Sequence, residues 1–562
     1  MPPFAAQPNL DVSNEHRSWS VLFWIVTMII GAAAGLAGGL LMRLLRAIET
    51  SVWHYQQGTL LDAISATQPA TIVLVLCTAG VLVGCFNGSV ARIFGRSVDV
   101  DSAIWFRSGQ VRALPTLANA VGSIIVVGMG TSLGRESAIK QAGGVIASQI
   151  SRWLRLSRTE QRVLVACGVG AGMAAAYNVP VGGALFAVEV LLGCISLRIV
   201  LPALVCSVMA TVASWALLPT GPVYDVPEYP LSVSLVVWSL WAGPVLGMAT
   251  IPLVRAFAWA ESHKPTSGPR RFVQPIITLT LLGMLAITFP QLLGNGQNAV
   301  QVAFRAEFSM YLLFVLAPLK LLATTGCLAS GARGGLFTPT MMIGAMLGGL
   351  LGQLWEMIFP GASLGCCAVI GASAFLAAAS QGPVSALVLV LELTRHVDGT
   401  MVPMLLAVSG AMLVARCIES QSIYSARIYS RLGTSSAAGQ HTSFDRLISK
   451  EFAAIPASTG YAQLLEQFLR PTFVSPAYII DHEGKLLGAI EASDLQVACL
   501  GAMPMEAAKA ADLFVPVQSL NSSMTEQDVI DRLNRQSSSQ LPVVDTASGR
   551  LLGIVIKGQV TS

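Results

Sequence analysis

GMGTSLGRESAIKQ (Gly128–Gln141) and GARGGLFTPTMMIGAMLGG (Gly331–Gly349) are two glycine-rich breaks, each leading into an apolar segment rich in Gly and Ala. Glycine permits a tight, non-helical approach before a helix begins. In the second stretch Thr338 suits a cap and Pro339 suits a first helical turn, so each break predicts a helix N-terminus. The breaks are related: Gly130, Gly134 and Gly143 match Gly331, Gly335 and Gly344 at an offset of 201. Further on, MAAAYNVPVGGALFAVEV from Met173 matches LAAASQGPVSALVLVLEL from Leu376, with Pro180 on Pro383 and Glu189 on Glu392. That offset is 203. Two distant motifs at nearly one spacing predict two structural halves built from interrupted helices around a shared site. If the halves are inverted, both N-termini point at one place, where unpaired N–H groups and positive dipole ends favour an anion. Within this apolar setting Arg135 and Glu136 are costly unless they are functional or paired with each other.

The rest of the chain supplies a membrane. Of its 562 residues 54% are hydrophobic and 11% are charged. Ordinary soluble domains carry about 25% charge. Val21–Met42 runs for 22 residues without a charge, enough to span a hydrocarbon core of roughly 30 Å. Ala70–Ala91, Ile199–Tyr224, Leu231–Val254 and Met357–Leu391 are further uncharged runs. Arg17 precedes the first run and Arg43 and Arg46 follow it, so basic residues do not fix orientation. The net charge of +4 is spread out, with no basic run for nucleic acid. The ten cysteines form no CxxC and have no histidine partner, which reads as small buried hydrophobes rather than a metal site. No Ser/His/Asp, Cys/His or metal-spaced set suggests an enzyme.

Residues 431–562 differ. They carry 10 Lys/Arg and 13 Asp/Glu, nearly twice the charge density of the preceding residues. PAYIIDHEGKLLGAIEASDL (Pro476–Leu495) reads as strand, turn, strand and helix start, and LPVVDTASGRLLGIVIKGQV (Leu541–Val560) repeats the layout. The expected organisation is a short segment 1–17, a membrane domain 18–432 with halves 18–225 and 226–432, a linker 433–443, and a tandem α/β module at 444–505 and 506–562. A tail without secretory features predicts a cytoplasmic C-terminus.

These motifs resemble the CLC chloride channel and transporter family. GRESA at Gly134–Ala138 is similar to the family's GREGP signature, GGLFTP at Gly334–Pro339 to its GxFxP signature, and SIYSA at Ser422–Ala426 to the segment supplying its pore tyrosine. YNVPVGGALFAVEV fits its intervening helices, and the tail resembles the paired CBS domains many members carry. The resemblance implies an α-helical polytopic fold of two inverted-topology repeats, a homodimer in the cell (inner) membrane, and one chloride pathway per subunit. It assigns Glu136 as the gating carboxylate, Tyr424 as a hydroxyl donor to the anion, and Leu336 and Phe337 as backbone N–H donors. It implies no required cofactor. A carboxylate suits the gate, because it occupies an anion site as a tethered competitor and leaves when protonated. Helix dipoles suit the site: a helix end is worth roughly 0.3–2 kcal/mol, against about 4 kcal/mol for a full charge at about 4 Å. Permeation needs binding weak enough to release the ion.

The chain departs from the family in four places. The GSGIP signature is missing; FGRSVDVDSAIW (Phe94–Trp105) stands there, with Ser97 the nearest substitute, Ser102 another, and a backbone group a third. Ser137 and Ala138 replace Gly-Pro after the gate, and Lys140, one helical turn beyond Glu136, is placed to pair with it, to attract anions, or to snorkel. Proton-coupled members commonly carry a Glu-Glu pair where this chain has Glu189 and Val190, which puts valine at the proton-transfer position. A valine holds no proton, so the expectation is a passive chloride channel, with a chloride/proton exchanger the alternative and a fluoride exporter a further one. In the tail Asp494 matches an Asp that contacts a nucleotide ribose in CBS domains, which implies an adenine-nucleotide site. The corresponding Gln559 lacks that group and leaves a purely structural module the stronger reading.

Overall fold

The computed structural model of the chain describes residues 19–430, except 56–57, 94–98, 266–267, 397–398, 419–420 and 429, and in the tail chiefly 452–460, 476–490, 509–522, 540–546 and 548–556. The first stretch is helical. Its first half contains α1 (Val21–Trp53), α2 (Leu60–Ala66), α3 (Pro69–Ile93), α4 (Val100–Phe106), α5 (Ala113–Gly128), α6 (Glu136–Trp153), α7 (Arg158–Tyr177), α8 (Pro180–Leu185), which runs on into a π-helical turn (Phe186–Leu192), and α9 (Leu197–Ser214). Its second half contains α10 (Val233–Ser262), α11 (Arg270–Ala286), α12 (Gln297–Phe304), α13 (Met310–Ala329), α14 (Phe337–Glu356), α15 (Leu364–Ser380), α16 (Pro383–Thr394) and α17 (Met401–Ile418).

Local chemistry sets the ends. The Ser20 hydroxyl accepts from Phe23 N at 3.1 Å and starts α1, and Ser157 with Glu160 forms a capping box at α7. The uncharged run predicted from Val21 to Met42 is only part of α1, which continues through Arg43, Arg46 and Glu49 to Trp53. Among the described residues seven helices (α1, α3, α9, α10, α13, α14 and α17) are long and apolar enough to cross a membrane. Leu74, Leu240, Phe314 and Leu413 on these helices are more than 60% exposed, as lipid-facing side chains are when lipid is the solvent. The protein is a multi-pass membrane protein.

The two halves pack alike. α6 lies on α7 as α14 lies on α15, and α1 lies on α9 as α10 lies on α17. The crossings are made by matching glycines. A Cβ on Gly143 would strike the Gly168 carbonyl, and one on its match Gly344 would strike the Gly371 carbonyl and the Phe375 side chain. α7 and α15 both end on a left-handed residue, Asn178 (φ 56°) and Gln381 (φ 59°), just before the proline that starts the next helix. The single uncharged run Met357–Leu391 is thus broken there into α15 and α16.

The described residues divide near residue 431 into two compact units. The tail unit holds β1 (Ala453–Pro456), β2 (Ala477–Ile480) and β3 (Leu486–Ile490) in one sheet, and β4 (Leu520–Asn521), β5 (Gln540–Val544) and β6 (Leu551–Ile556) in another. Each sheet has a parallel pair followed by an antiparallel hairpin. The predicted strand–turn–strand pattern is present twice. Asp481 accepts from Glu483 N and Lys485 N in the first turn, Asp545 from Ser548 N in the second, and Gly484 and Gly549 supply positive φ in both.

Candidate anion site

The two glycine breaks meet. Gly134 N donates to Gly335 O at 2.8 Å and Gly335 N to Gly134 O at 2.6 Å, an antiparallel bridge between residues the repeat makes equivalent. α6 and α14 each begin two residues after this bridge, so their N-termini share one place. Both ends are buried in the apolar interior, so their N–H groups need acceptors.

Glu136, the first residue of α6, answers that need for the other repeat. Its Oε1 accepts from Phe337 N at 2.5 Å and Thr338 N at 3.3 Å, and its Oε2 from the Tyr177 hydroxyl at 3.4 Å. Its side chain is 2% exposed. A carboxylate from one half thus caps the helix of the other. Thr338, read as a cap from sequence, is not one: it lies inside α14, and its Oγ1 shares a 3.0 Å hydrogen bond with the Tyr177 hydroxyl. The cap is supplied across the repeat instead.

A cavity opens beside this carboxylate, lined among others by Asp101, Glu136, Lys140, Leu336, Tyr424 and Arg427. Tyr424 stands edge-on to Phe186, with ring centroids 5.7 Å apart. Leu336 lines the cavity, while the amides that hold the carboxylate are those of Phe337 and Thr338. Arg135 does not pair with Glu136; its guanidinium lies over the Tyr177 ring, 4.7 Å from the centroid. Of the residues that replace GSGIP, Asp99, Val100 and Asp101 line the cavity and Ser102 does not. Ser97, Asp494 and Gln559 lie outside the described residues.

Lys140 pairs with Asp101 on α4 rather than with Glu136, its Nζ 2.8 Å from Oδ2. Glu189 and its repeat mate Glu392 are committed elsewhere. Glu189 accepts from Val384 N at 3.1 Å and Ser385 N at 2.6 Å, at the start of α16. Glu392 accepts from Val181 N at 3.1 Å and Gly182 N at 2.6 Å, at the start of α8. Val190 is buried against Gly382 and does not line the cavity. Sequence reading missed Tyr177, Asp101 and Arg427; the only available signals were a charge in an apolar run for Asp101 and the position of Tyr177 just ahead of the second repeated motif. Of nine described cysteines five are buried, while Cys85 and Cys417 are exposed on membrane helices, which corrects the expectation of uniform burial. Among the described residues no cluster of His, Cys, Asp or Glu could hold a metal.

The sequence profile of the voltage gated chloride channel family matches residues 79–416. A putative chloride channel protein, ClcB-like, from Ralstonia nicotianae is 29% identical over 405 residues, covering 70% of this chain and 94% of its own. The H(+)/Cl(-) exchange transporter ClcA of Vibrio campbellii is 26% identical over 460 residues, covering 77% of this chain and 94% of its own. The crystal structure of a slow cyanobacterial Cl-/H+ antiporter superposes with a TM-score of 0.65 at 20% identity, over 75% of this chain and all of that one. The profile spans more than half of the chain and both signature breaks, and the chain belongs to the voltage gated chloride channel family.

Proposed function

We propose that the chain moves chloride across the cell (inner) membrane through the cavity beside Tyr424, with Glu136 as its gate. The observation that carries this reading is the Glu136 carboxylate seated on the Phe337 and Thr338 amides. A chloride ion needs the same donors, so carboxylate and anion compete, and protonation removes the carboxylate's charge and releases it.

Competition of this kind links anion movement to proton movement, and the exchanger named among the relatives and the antiporter with this fold support chloride/proton exchange. A passive channel is the second reading, favoured by Val190 at the position where exchangers commonly hold a carboxylate, and by the ClcB-like relative. The test is a vesicle containing the purified chain, with an imposed chloride gradient and internal pH read continuously. Uphill proton movement at a fixed ratio to chloride is the expected result. Chloride efflux without it would establish the channel reading, and no chloride flux at all would sink both. The tail is read as a cytoplasmic CBS pair, its two sheets of identical order supporting the assignment, and the functional unit as a homodimer.

A further inference from the structure

The cavity holds a feature that the gate does not use: a full cation, Lys140, deep in the anion's route. Its ammonium lies 4.6 Å from the centroid of the Tyr424 ring and 5.2 Å from that of Phe186. Its side chain is 8% exposed and that of Asp101 is 9% exposed. A buried ion pair is a poor device for stability, because desolvation of both charges offsets their attraction. The pair is also incomplete: Asp101 Oδ1 is buried with no hydrogen-bond partner among the described residues. A carboxylate that made a purely structural contact would be expected to satisfy both oxygens. The other charges around the cavity do not complete it. Arg427 attracts Asp101 but is bound to Glu261 at 2.9 Å, Asp99 repels Asp101, and the carboxylate of Glu136 on α6 is held by the α14 amides.

The arrangement repeats the logic of the gate. Glu136 occupies backbone donors that would serve an anion, and Asp101 occupies an ammonium that would serve one. We infer that Lys140 is a second anion ligand of the pathway, for a small monovalent anion such as chloride, and that Asp101 is the tethered carboxylate such an anion displaces. This inference rests on the anion-transport reading above. It assigns a function to the residues standing in place of GSGIP: Asp101 supplies a competitor in place of a hydroxyl donor. Both partners and Tyr424 line the same cavity.

The test uses bromide as an anomalous scatterer in crystals of the full, unmutated chain. The expected result is a bromide within contact distance of Lys140 Nζ with the Asp101 carboxylate turned away. Bromide seated only at the Tyr424 hydroxyl or on α14, or bromide at no site, with the Asp101–Lys140 pair intact, overturns the inference. In parallel, Asp101→Asn removes the competitor and leaves the cation, so calorimetric chloride affinity should tighten at least tenfold. Unchanged or weaker affinity in the folded variant also overturns it. If Asp101→Asn does not fold, the bromide position in the unmutated chain decides alone. Chloride flux from vesicles of the unmutated chain separates the two failures: flux without bromide at Lys140 defeats this inference only, while absent flux defeats the transport reading.

Discussion

The Glu136 carboxylate sits on the first amides of α14, and its grip depends on charge. A hydrogen bond to an ionised acceptor is worth about 1.5–3 kcal/mol, against about 0.5–1.5 kcal/mol for a neutral one. Glu136→Gln keeps the shape and one acceptor but loses the charge. The seated side chain should then be disfavoured by about 1 kcal/mol or more, roughly five- to tenfold in its balance with the displaced one. Anion flux in the variant should rise and lose its response to pH, and any proton coupling should vanish. Flux measured across a pH series that tracks the unmutated protein would show that Glu136 is not the gate. Arg135 and Tyr177 act on this residue from behind. Tyr177 bonds both Glu136 and Thr338, and Arg135 stacks on its ring, so the pair fixes where the carboxylate sits.

At the scale of elements the reciprocal glutamates hold the halves together. Glu189 caps α16 and Glu392 caps α8, each through two backbone N–H groups of the opposite repeat. Acceptors at a helix N-terminus are worth about 1–2 kcal/mol, more of it when the acceptor is charged. Glu189→Gln and Glu392→Gln should therefore lower the melting temperature of the detergent-solubilised protein by similar amounts. They should leave the ratio of protons to chloride alike in both variants. A ratio that changes in Glu189→Gln and not in Glu392→Gln would make Glu189 a proton carrier instead of a cap. The symmetry argues for the cap, since a residue serving only a proton route has no reason to be mirrored at an offset of 203.

At the scale of the whole molecule the tail is the open element. Its two hairpins share topology and turn chemistry, with Asp481 and Asp545 closing equivalent turns. The proposed nucleotide contact falls on Asp494 alone, Gln559 standing at the matching place. A structural module is the expected outcome: ATP should leave the melting transition of the full chain unmoved, where a ligand present at about 100 times its Kd would add about 2.7 kcal/mol. A shift with ATP that Asp494→Ala abolishes would instead establish the nucleotide site.

The sequence by itself determined the membrane setting, the two related halves and the glycine breaks, because hydrophobic runs, proline starts and repeated spacing are local properties of the chain. It also placed Glu136 at a helix start, since a charge in an apolar segment after glycines has few other uses. Tertiary structure alone decided the partners. That Glu136 caps α14, that Lys140 answers to Asp101 and not to the carboxylate one turn away, and that Glu189 is held by α16 all depend on residues between 39 and 202 positions apart. Side chains find their partners by distance in space, and the Gly134–Gly335 bridge that brings Glu136 to α14 forms only when both halves have folded against each other.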